Sequence, residues 1–329
     1  MQPVKFLVLR FSSIGDIVLT TPVVRCLKKQ VDQAEIHYFT KPQYREILQA
    51  NPYIDQIHVL EEDLGKQIKA LRNESFDYII DLHKNLRTRR IISGLRVISF
   101  SFDKLNLKKW IYVNFKINRL PDQHIVDRYL QAISVFDVEN DGSGLDYFIP
   151  SREEVNRNTL PEEFHQGYVA FVIGAKHNTK KLTTEKMISI IDRISYPVML
   201  LGGKEDRQTG NEIENATQTF VLNTCGEYSI NQSASLVKQA RVVITHDTGL
   251  MHVAAAFGKK IISIWGNTVP AFGMYPYQPH PDSALFEIEH LSCRPCSKLG
   301  HKKCPKKHFR CIRDISDRAV AAKALALLE

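Results

Sequence analysis

A carboxylate set among two serines and a glycine occupies the first turn of the chain, in RFSSIGD at residues 10–16. The apolar run VKFLVLRF (4–11) ends there and an amphipathic stretch over 16–30 follows. Asp16 is therefore expected in the first turn of a helix, with Ser12 or Ser13 as its cap. The positive end of a helix keeps such a carboxylate ionised. An ionised carboxylate can take the proton of a hydroxyl as that hydroxyl begins to bond; simple capping is the other use of the same residue. The stretch VVITHDTGLMHVAAAFG (242–258) repeats the layout. Asp247, Thr248 and Gly249 fall between a buried strand and a helix closed by Gly258. Free backbone N–H groups make that junction an anion site. Gly249 lets an oxygen-rich group approach, and the Thr248 hydroxyl can donate to it. Capping by Asp247 or Thr248 is again the alternative. His252, five residues after Asp247, faces either the anion or the sheet.

Further groups of the same kind recur at strand ends. Lys176, Lys180 and Lys181 crowd the loop after YVAFVIG (168–174), where they suit a diphosphate or stand solvated. In LLGGKEDRQTG (200–210), Glu205 or Asp206 can accept from ribose hydroxyls or serve as a first-turn carboxylate. DLHKNLRTRR (81–90) places Lys84, Arg87, Arg89 and Arg90 after another strand, where arginine forks suit phosphate or carboxylate and a solvated basic face is the alternative. CRPCSKLGHKKCPKKHFRC (293–311) carries Cys293, Cys296, Cys304 and Cys311 with His301 and His308. Four thiolates, or three with His308, suit a structural zinc; free thiols are the alternative. Cys26 and Cys225 lie in helix- and strand-like segments and read as buried thiols.

The elements that position these residues alternate in type. Strand-like runs at 4–11, 34–40, 54–60, 76–83 and 96–101 are separated by helical patterns at 16–30, 42–50, 63–73 and 86–93. Such apolar runs between helices indicate parallel strands buried on both faces. Residues 137–167 break the rhythm with a linker composition, and runs at 168–174, 197–203, 220–226, 242–247 and 261–266 resume it. The expected organisation is α/β: a doubly wound domain over 1–150, a linker over 151–167, a second such domain over 168–313 and a terminal helix over 314–329. A ligand cleft between the two domains is expected. At 329 residues, 43% of them apolar and 24% charged, the chain can bury two ordinary cores. Its net charge of +8 draws anions. There is neither a run long enough to cross a membrane nor the layout of a secretory leader, so the cytoplasm is the expected location.

Together these residues resemble glycosyltransferase family 9, the lipopolysaccharide heptosyltransferases. The resemblance rests on LVLRFSSIGDIVLTTPVVRCLK, DLHKNLRTRR, HIVDRYL, GAKHNTKKLTTEK, LLGGKED and THDTGLMHVAAAFGKKIISIWGNTVP, in the family's order over nearly the whole chain. It implies a GT-B fold, with an acceptor-binding and a nucleotide-sugar-binding Rossmann-like domain facing across a cleft. It implies inverting transfer of heptose from ADP-heptose to a lipopolysaccharide inner-core acceptor, with no metal in the chemistry. Asp16 matches the family's proposed base and Lys180 its phosphate-binding lysine. Asp247, Thr248 and Gly249 match the nucleotide-sugar loop, with His252 in the same motif. Lys84, Arg87 and Arg90 lie where acceptor contacts are expected. The cysteine-rich tail resembles the second-heptose enzymes more than the first. Leu182 and Thr183 stand where the family often has Trp-Pro, and His246 stands where a small residue is frequent. A lipid-anchored sugar acceptor implies peripheral contact with the inner membrane. Two other readings remain: transfer from another nucleotide sugar, and non-catalytic binding of an anionic ligand or nucleic acid. No nucleic-acid motif supports the last.

Overall fold

The computed structural model describes residues 3–329. The chain divides into two compact units, one of Met1–Lys104 and Gln123–Pro150, the other of Leu105–Asp122 and Ser151–Glu329. In the first, β1 (Val4–Leu9), β2 (Ala34–Thr40), β3 (Gln56–Val59), β4 (Tyr78–Asp81) and β5 (Ile98–Ser101) form one sheet in the order β3-β2-β1-β4-β5. Every pairing is parallel, with Val4 opposite Ala34 through Leu9 opposite Phe39, and Phe6 opposite Tyr78 through Leu9 opposite Asp81. Phe6, Leu7, Val8 and Leu9 are fully buried, which explains why β1 reads as an unbroken apolar run.

In the second unit, β6 (Val169–Val172), β7 (Val198–Leu201), β8 (Val221–Asn223), β9 (Val242–His246), β10 (Lys260–Trp265) and β11 (Ala284–Glu287) form a parallel sheet in the order β11-β10-β9-β6-β7-β8. In each sheet the chain winds outward from one strand and then returns to start again beside it. The reversals lie between β1 and β4 and between β6 and β9. Loops leaving two such strands part in opposite directions, and the gap at their carboxyl ends is where these sheets take ligands.

The α/β class expected from the alternation is the one found. Its partition differs in three ways. Residues 105–122 group with the second unit, because the helix Asn106–Phe115 packs Tyr112 at 6.0 Å from Phe272 and Lys116 Nζ donates to the Pro295 carbonyl at 2.7 Å. The stretch 151–167 is packed rather than loose: Val155 N–H donates to Ser235 Oγ at 2.9 Å and Ser229 Oγ to Glu153 at 2.5 Å. The terminal helix Asp317–Leu328 buries Val320, Ala321, Ala324 and Leu327 in the same core as Ile190 and Ile244. Beyond the expected elements are β11, a half-exposed edge strand, and the helices Asn106–Phe115 and Ile125–Gln131. The expected helix over 16–30 is two, Ile14–Val18 and Thr21–Gln30, with Pro22 near the start of the second. Among the described residues no helix is long and apolar enough to cross a membrane.

Candidate functional site

At the carboxyl end of β1 the chain turns through Arg10 to Ser13 and opens a helix at Ile14, with Ser13 as its cap residue. Asp16, three residues on, closes a reciprocal cap: its Oδ2 accepts from Ser13 N–H at 2.9 Å and from Ser13 Oγ at 2.7 Å. Its other oxygen lies 2.5 Å from Arg10 Nη2. Arg10 is buried, and it also donates to Tyr129 Oη at 2.9 Å, to the Ser12 carbonyl at 2.9 Å and to the Leu82 carbonyl. Asp16 is thus a capping residue and an oriented carboxylate at once.

The switch point puts the end of β4 beside this turn. Lys84 sits there in a left-handed turn with φ of 52°, its backbone N–H bound to Asp81 Oδ1 at 2.7 Å and its Nζ to the Phe102 carbonyl at 2.9 Å. Arg87 lies over the Phe11 ring at 5.7 Å, and Arg90 is exposed one turn further along the helix Leu86–Leu95. Two residues outside the sequence expectation complete the cluster. His83 packs edge-on to Phe11 at 5.4 Å; burial first, then repulsion from Arg10 and Lys104, pushes its pKa down to about 4. The Lys104 ammonium is lowered by burial and by Arg10. Arg10, Lys84, Arg87 and Lys104 therefore gather positive charge around Asp16, a setting suited to an anionic substrate. Their signal was position: Arg10 and Lys104 each lie within three residues of a strand's carboxyl end.

In the second unit the equivalent gap holds the other group. Lys180 comes from the loop after β6 and Asp247 from the end of β9, and they meet, Nζ to Oδ2 at 2.5 Å. Lys180 Nζ also reaches the Asp247 carbonyl at 3.3 Å, and Thr268 Oγ1 donates to Asp247 Oδ2 at 2.9 Å. Thr248 begins the helix Gly249–Ala256 without a side-chain cap bond, its hydroxyl 3.3 Å from Thr245 Oγ1. Neither Asp247 nor Thr248 caps this helix. The helix opens at the edge of the gap without a side-chain cap bond, with Lys180 next to its start. Asp247 positions Lys180 rather than presenting its own charge to an anion. His252 is only 2% exposed and lies in the body of the helix.

Loop scaffolding fixes this arrangement. Thr179 Oγ1 donates to Asn267 Oδ1 at 3.0 Å and accepts from His301 N–H at 2.8 Å, pinning the residue before Lys180. A Cβ on Gly266 would stand 2.4 Å from the Thr179 carbonyl, so only glycine permits the approach. Buried Arg294 clamps the next loop by donating to the Thr268 carbonyl at 2.7 Å and the Ile288 carbonyl at 2.9 Å, and it pairs with Glu287 at 2.6 Å. Of the two acidic candidates after β7, Asp206 is buried, pairs with Lys181 and accepts from Gly203 N–H at 3.0 Å. Glu205 is exposed and folds over Gly203, where an added Cβ would stand 2.4 Å from its carboxylate. Glu205 is the exposed member of the pair.

The cysteine stretch is less organised. Cys293 Sγ lies 3.6 Å from His308 Nε2. Burial, reinforced by neighbouring thiols, pushes Cys296 up to about 11 and Cys311 up to about 12. A bound metal would itself draw such thiols into the thiolate form. Among the described residues no group of three His, Cys, Asp or Glu side chains is placed to hold a metal ion. A cavity of about 630 Å³ in the second unit opens at the opposite ends of the strands, bordered by Gly167, Arg241 and Lys259, and contains none of the expected site residues.

A family described as glycosyltransferase family 9 (heptosyltransferase) matches residues 64–308. Lipopolysaccharide heptosyltransferase 1 of Campylobacter coli is 23% identical over 290 residues, covering 80% of this chain and 84% of that protein. A solved glycosyltransferase family 9 structure from Veillonella parvula aligns with a TM-score of 0.77 at 22% identity, over 98% of this chain and 97% of that one. The structure of E. coli ADP-heptose lipopolysaccharide heptosyltransferase II aligns with a TM-score of 0.75 at 21% identity, over 98% of each chain. Both share the fold over essentially the whole length.

Proposed function

We propose that this chain, which belongs to glycosyltransferase family 9 and is a glycosyltransferase, moves a heptose from ADP-heptose to the inner core of lipopolysaccharide with inversion at the sugar carbon. The observation that carries the reading is the start of the helix Gly249–Ala256. It has no side-chain cap, and Lys180 is held beside it at the switch point of the second sheet. That is an anion grip aimed where a nucleotide diphosphate binds. The relatives' names supply the sugar and the acceptor.

In the reaction the bond between the sugar carbon and the diphosphate oxygen breaks, and its electron pair stays with the diphosphate. Lys180, the Thr248 hydroxyl and the helix N–H groups stabilise that charge as it develops. Glu205 accepts from the ribose. The acceptor hydroxyl forms the new bond on the opposite face of the sugar carbon, and its proton passes to Asp16. Arg10 and Ser13 orient Asp16. Lys84, Arg87, Arg90 and Lys104 attract the acidic inner core. The proton and the electron pair are both accounted for by these groups, so no metal is needed in the step. The acceptor is a lipid-anchored sugar, so the enzyme works in the cytoplasm at the face of the inner membrane.

Two measurements test this. Asp16→Asn is expected to lower the transfer rate by roughly 10²–10⁴-fold while ADP binding by calorimetry stays unchanged; an equal loss of ADP affinity assigns Asp16 a structural role instead. In a thermal-shift comparison ADP is expected to stabilise the protein and UDP and GDP are not. Stabilisation by UDP alone moves the donor to another nucleotide sugar. Acceptors with no heptose or one heptose then distinguish first- from second-heptose transfer.

A further inference from the structure

The helix Asn106–Phe115 is built the wrong way round for a helix that only packs. Its sequence, NLKKWIYVNF, places apolar residues at 107, 110, 111 and 115, a single helical face. That face points outward: Leu107 is 69% exposed, Trp110 49% and Phe115 60%, and Ile117 just beyond the helix is 49% exposed. The opposite face makes the contacts with the second unit. There Tyr112 meets Phe272 at 6.0 Å, Lys109 lies over the same ring at 5.8 Å, and Lys116 donates to the Pro295 carbonyl at 2.7 Å. Trp110 and Phe115 meet edge to face at 5.5 Å, which joins them into one patch. A soluble protein rarely leaves so much contiguous apolar surface unless something covers it.

Charge identifies the cover. Residues 105–119 carry Lys108, Lys109, Lys116 and Arg119 and no carboxylate. Lys109 and Lys116 are engaged on the packed side, and Lys108 and Arg119 are exposed beside the apolar face. Exposed tryptophan and phenylalanine flanked by cations is the composition of a helix lying in the headgroup layer of an anionic bilayer. A second copy of the chain would bring the same two cations against these and be repelled. At ten residues, roughly 15 Å long, the helix is too short to cross a bilayer and long enough to lie on one.

We propose that the segment 105–119 is the membrane-docking element of this protein, with Leu107, Trp110, Phe115 and Ile117 inserted among the headgroups of anionic lipids. This inference stands on the surface alone and does not depend on the donor or base assigned above.

The test uses the full chain with vesicles of phosphatidylcholine alone or mixed with phosphatidylglycerol. Cosedimentation is expected with the mixed vesicles and not with the neutral ones. The chain has two tryptophans, Trp110 and the buried Trp265, so a blue shift of emission on binding reports Trp110. Trp110→Ser with Phe115→Ser is expected to weaken vesicle binding on the order of a hundredfold. Lys108→Gln with Arg119→Gln is expected to weaken it about thirtyfold, at about fivefold for each cation removed. ADP binding serves as the folding control, because these side chains are exposed. Absence of binding to the anionic vesicles overturns the proposal, as does a serine variant that binds like the parent. A dimer that the serine variant dissolves, with vesicle binding unchanged, assigns the patch to self-association and overturns it equally. Loss of transferase activity with vesicle binding intact bears on the proposed reaction and leaves this inference standing.

Discussion

Two of the three positions at which the sequence departs from the pattern its resemblance implies touch each other. Leu182 N–H donates to His246 Nε2 at 2.9 Å, and the ring is fully buried. A histidine where a smaller residue is frequent thus supplies the acceptor for the backbone just past Lys180. Burial first, and then Lys181, pushes the ring down to about 3, so it is neutral and able to accept. Replacing His246 with alanine strands a buried N–H. The expected cost is about 1–3 kcal/mol in denaturant unfolding, together with weaker ADP binding as the Lys180 loop loosens. A variant of unchanged stability would show that the contact carries nothing. The same ring gives a pH signature. The folded ring protonates near 3 while an unfolded histidine protonates at about 6.5, so the unfolded chain takes the proton first as pH falls. The stabilisation is complete above about pH 6.5 and lost towards pH 3, at up to about 1.4 kcal/mol per pH unit. His58 and His83, each pushed down to about 4 chiefly by burial, add to the slope in the same direction. His246→Asn should therefore flatten the acid limb of stability against pH without abolishing it; an identical limb would rule out the assignment.

At the scale of elements, the loop 137–150 shows what composition conceals. Its Asp, Asn and Gly residues read as linker, yet Arg25 ties it to the helix Thr21–Gln30. The guanidinium forks onto Asp141 with two bonds of 2.8 Å, donates to the Gly144 carbonyl at 2.8 Å and pairs with Asp146. Arg25 is 1% exposed, while Asp141 is exposed and Asp146 half-buried, so deleting Arg25 removes a buried side chain whose carboxylate partners water can still reach. Arg25→Ala should destabilise the protein by about 1–3 kcal/mol. Arg25→Lys should recover little, because an ammonium cannot make the planar double bond. Urea midpoints for the two variants check both statements, and a mild effect of Arg25→Ala would reduce the clamp to surface decoration. What marked Asp16, Lys180 and Asp247 was their setting: each follows a strand, in the loop or first helical turn beyond its carboxyl end. Strands β1, β6 and β9 were legible because burial on both faces leaves no polar residue to disguise them. What stayed hidden depends on long-range partners. Thr179 and Asn267 are 88 residues apart, and Arg25 and Asp146 are 121 apart. No local period encodes such pairs. Capping stayed open for the same reason, because whether Thr248 caps a helix depends on where its hydroxyl finds a partner, and its near neighbour is Thr245 Oγ1.

The whole molecule is not two consecutive pieces of chain. The chain passes between units after residues 104, 122 and 150, because 105–122 packs with the later sequence. A cut at 150 therefore yields a second half with its sheet intact and one covering element missing. The fragment 151–329 retains β6 to β11 and the core that includes Ile190, Ile244 and Ala324, so it should fold. It should also lose the cover that Tyr112 and Lys109 provide over Phe272, which is only 5% exposed in the full chain. Full burial of such a side chain contributes about 1.5–3 kcal/mol, and uncovering part of it costs a fraction of that. The fragment's unfolding midpoint in urea should therefore lie below that of a fragment carrying 105–122 joined to 151–329 through a flexible connection. ADP should stabilise both fragments alike, because Lys180, Thr248 and Gly249 are present in each. If the two midpoints coincide, 105–122 contributes nothing to the second unit's stability and the boundary belongs at 150. If ADP stabilises neither while the full chain responds, the grip on the diphosphate needs residues of the first unit as well.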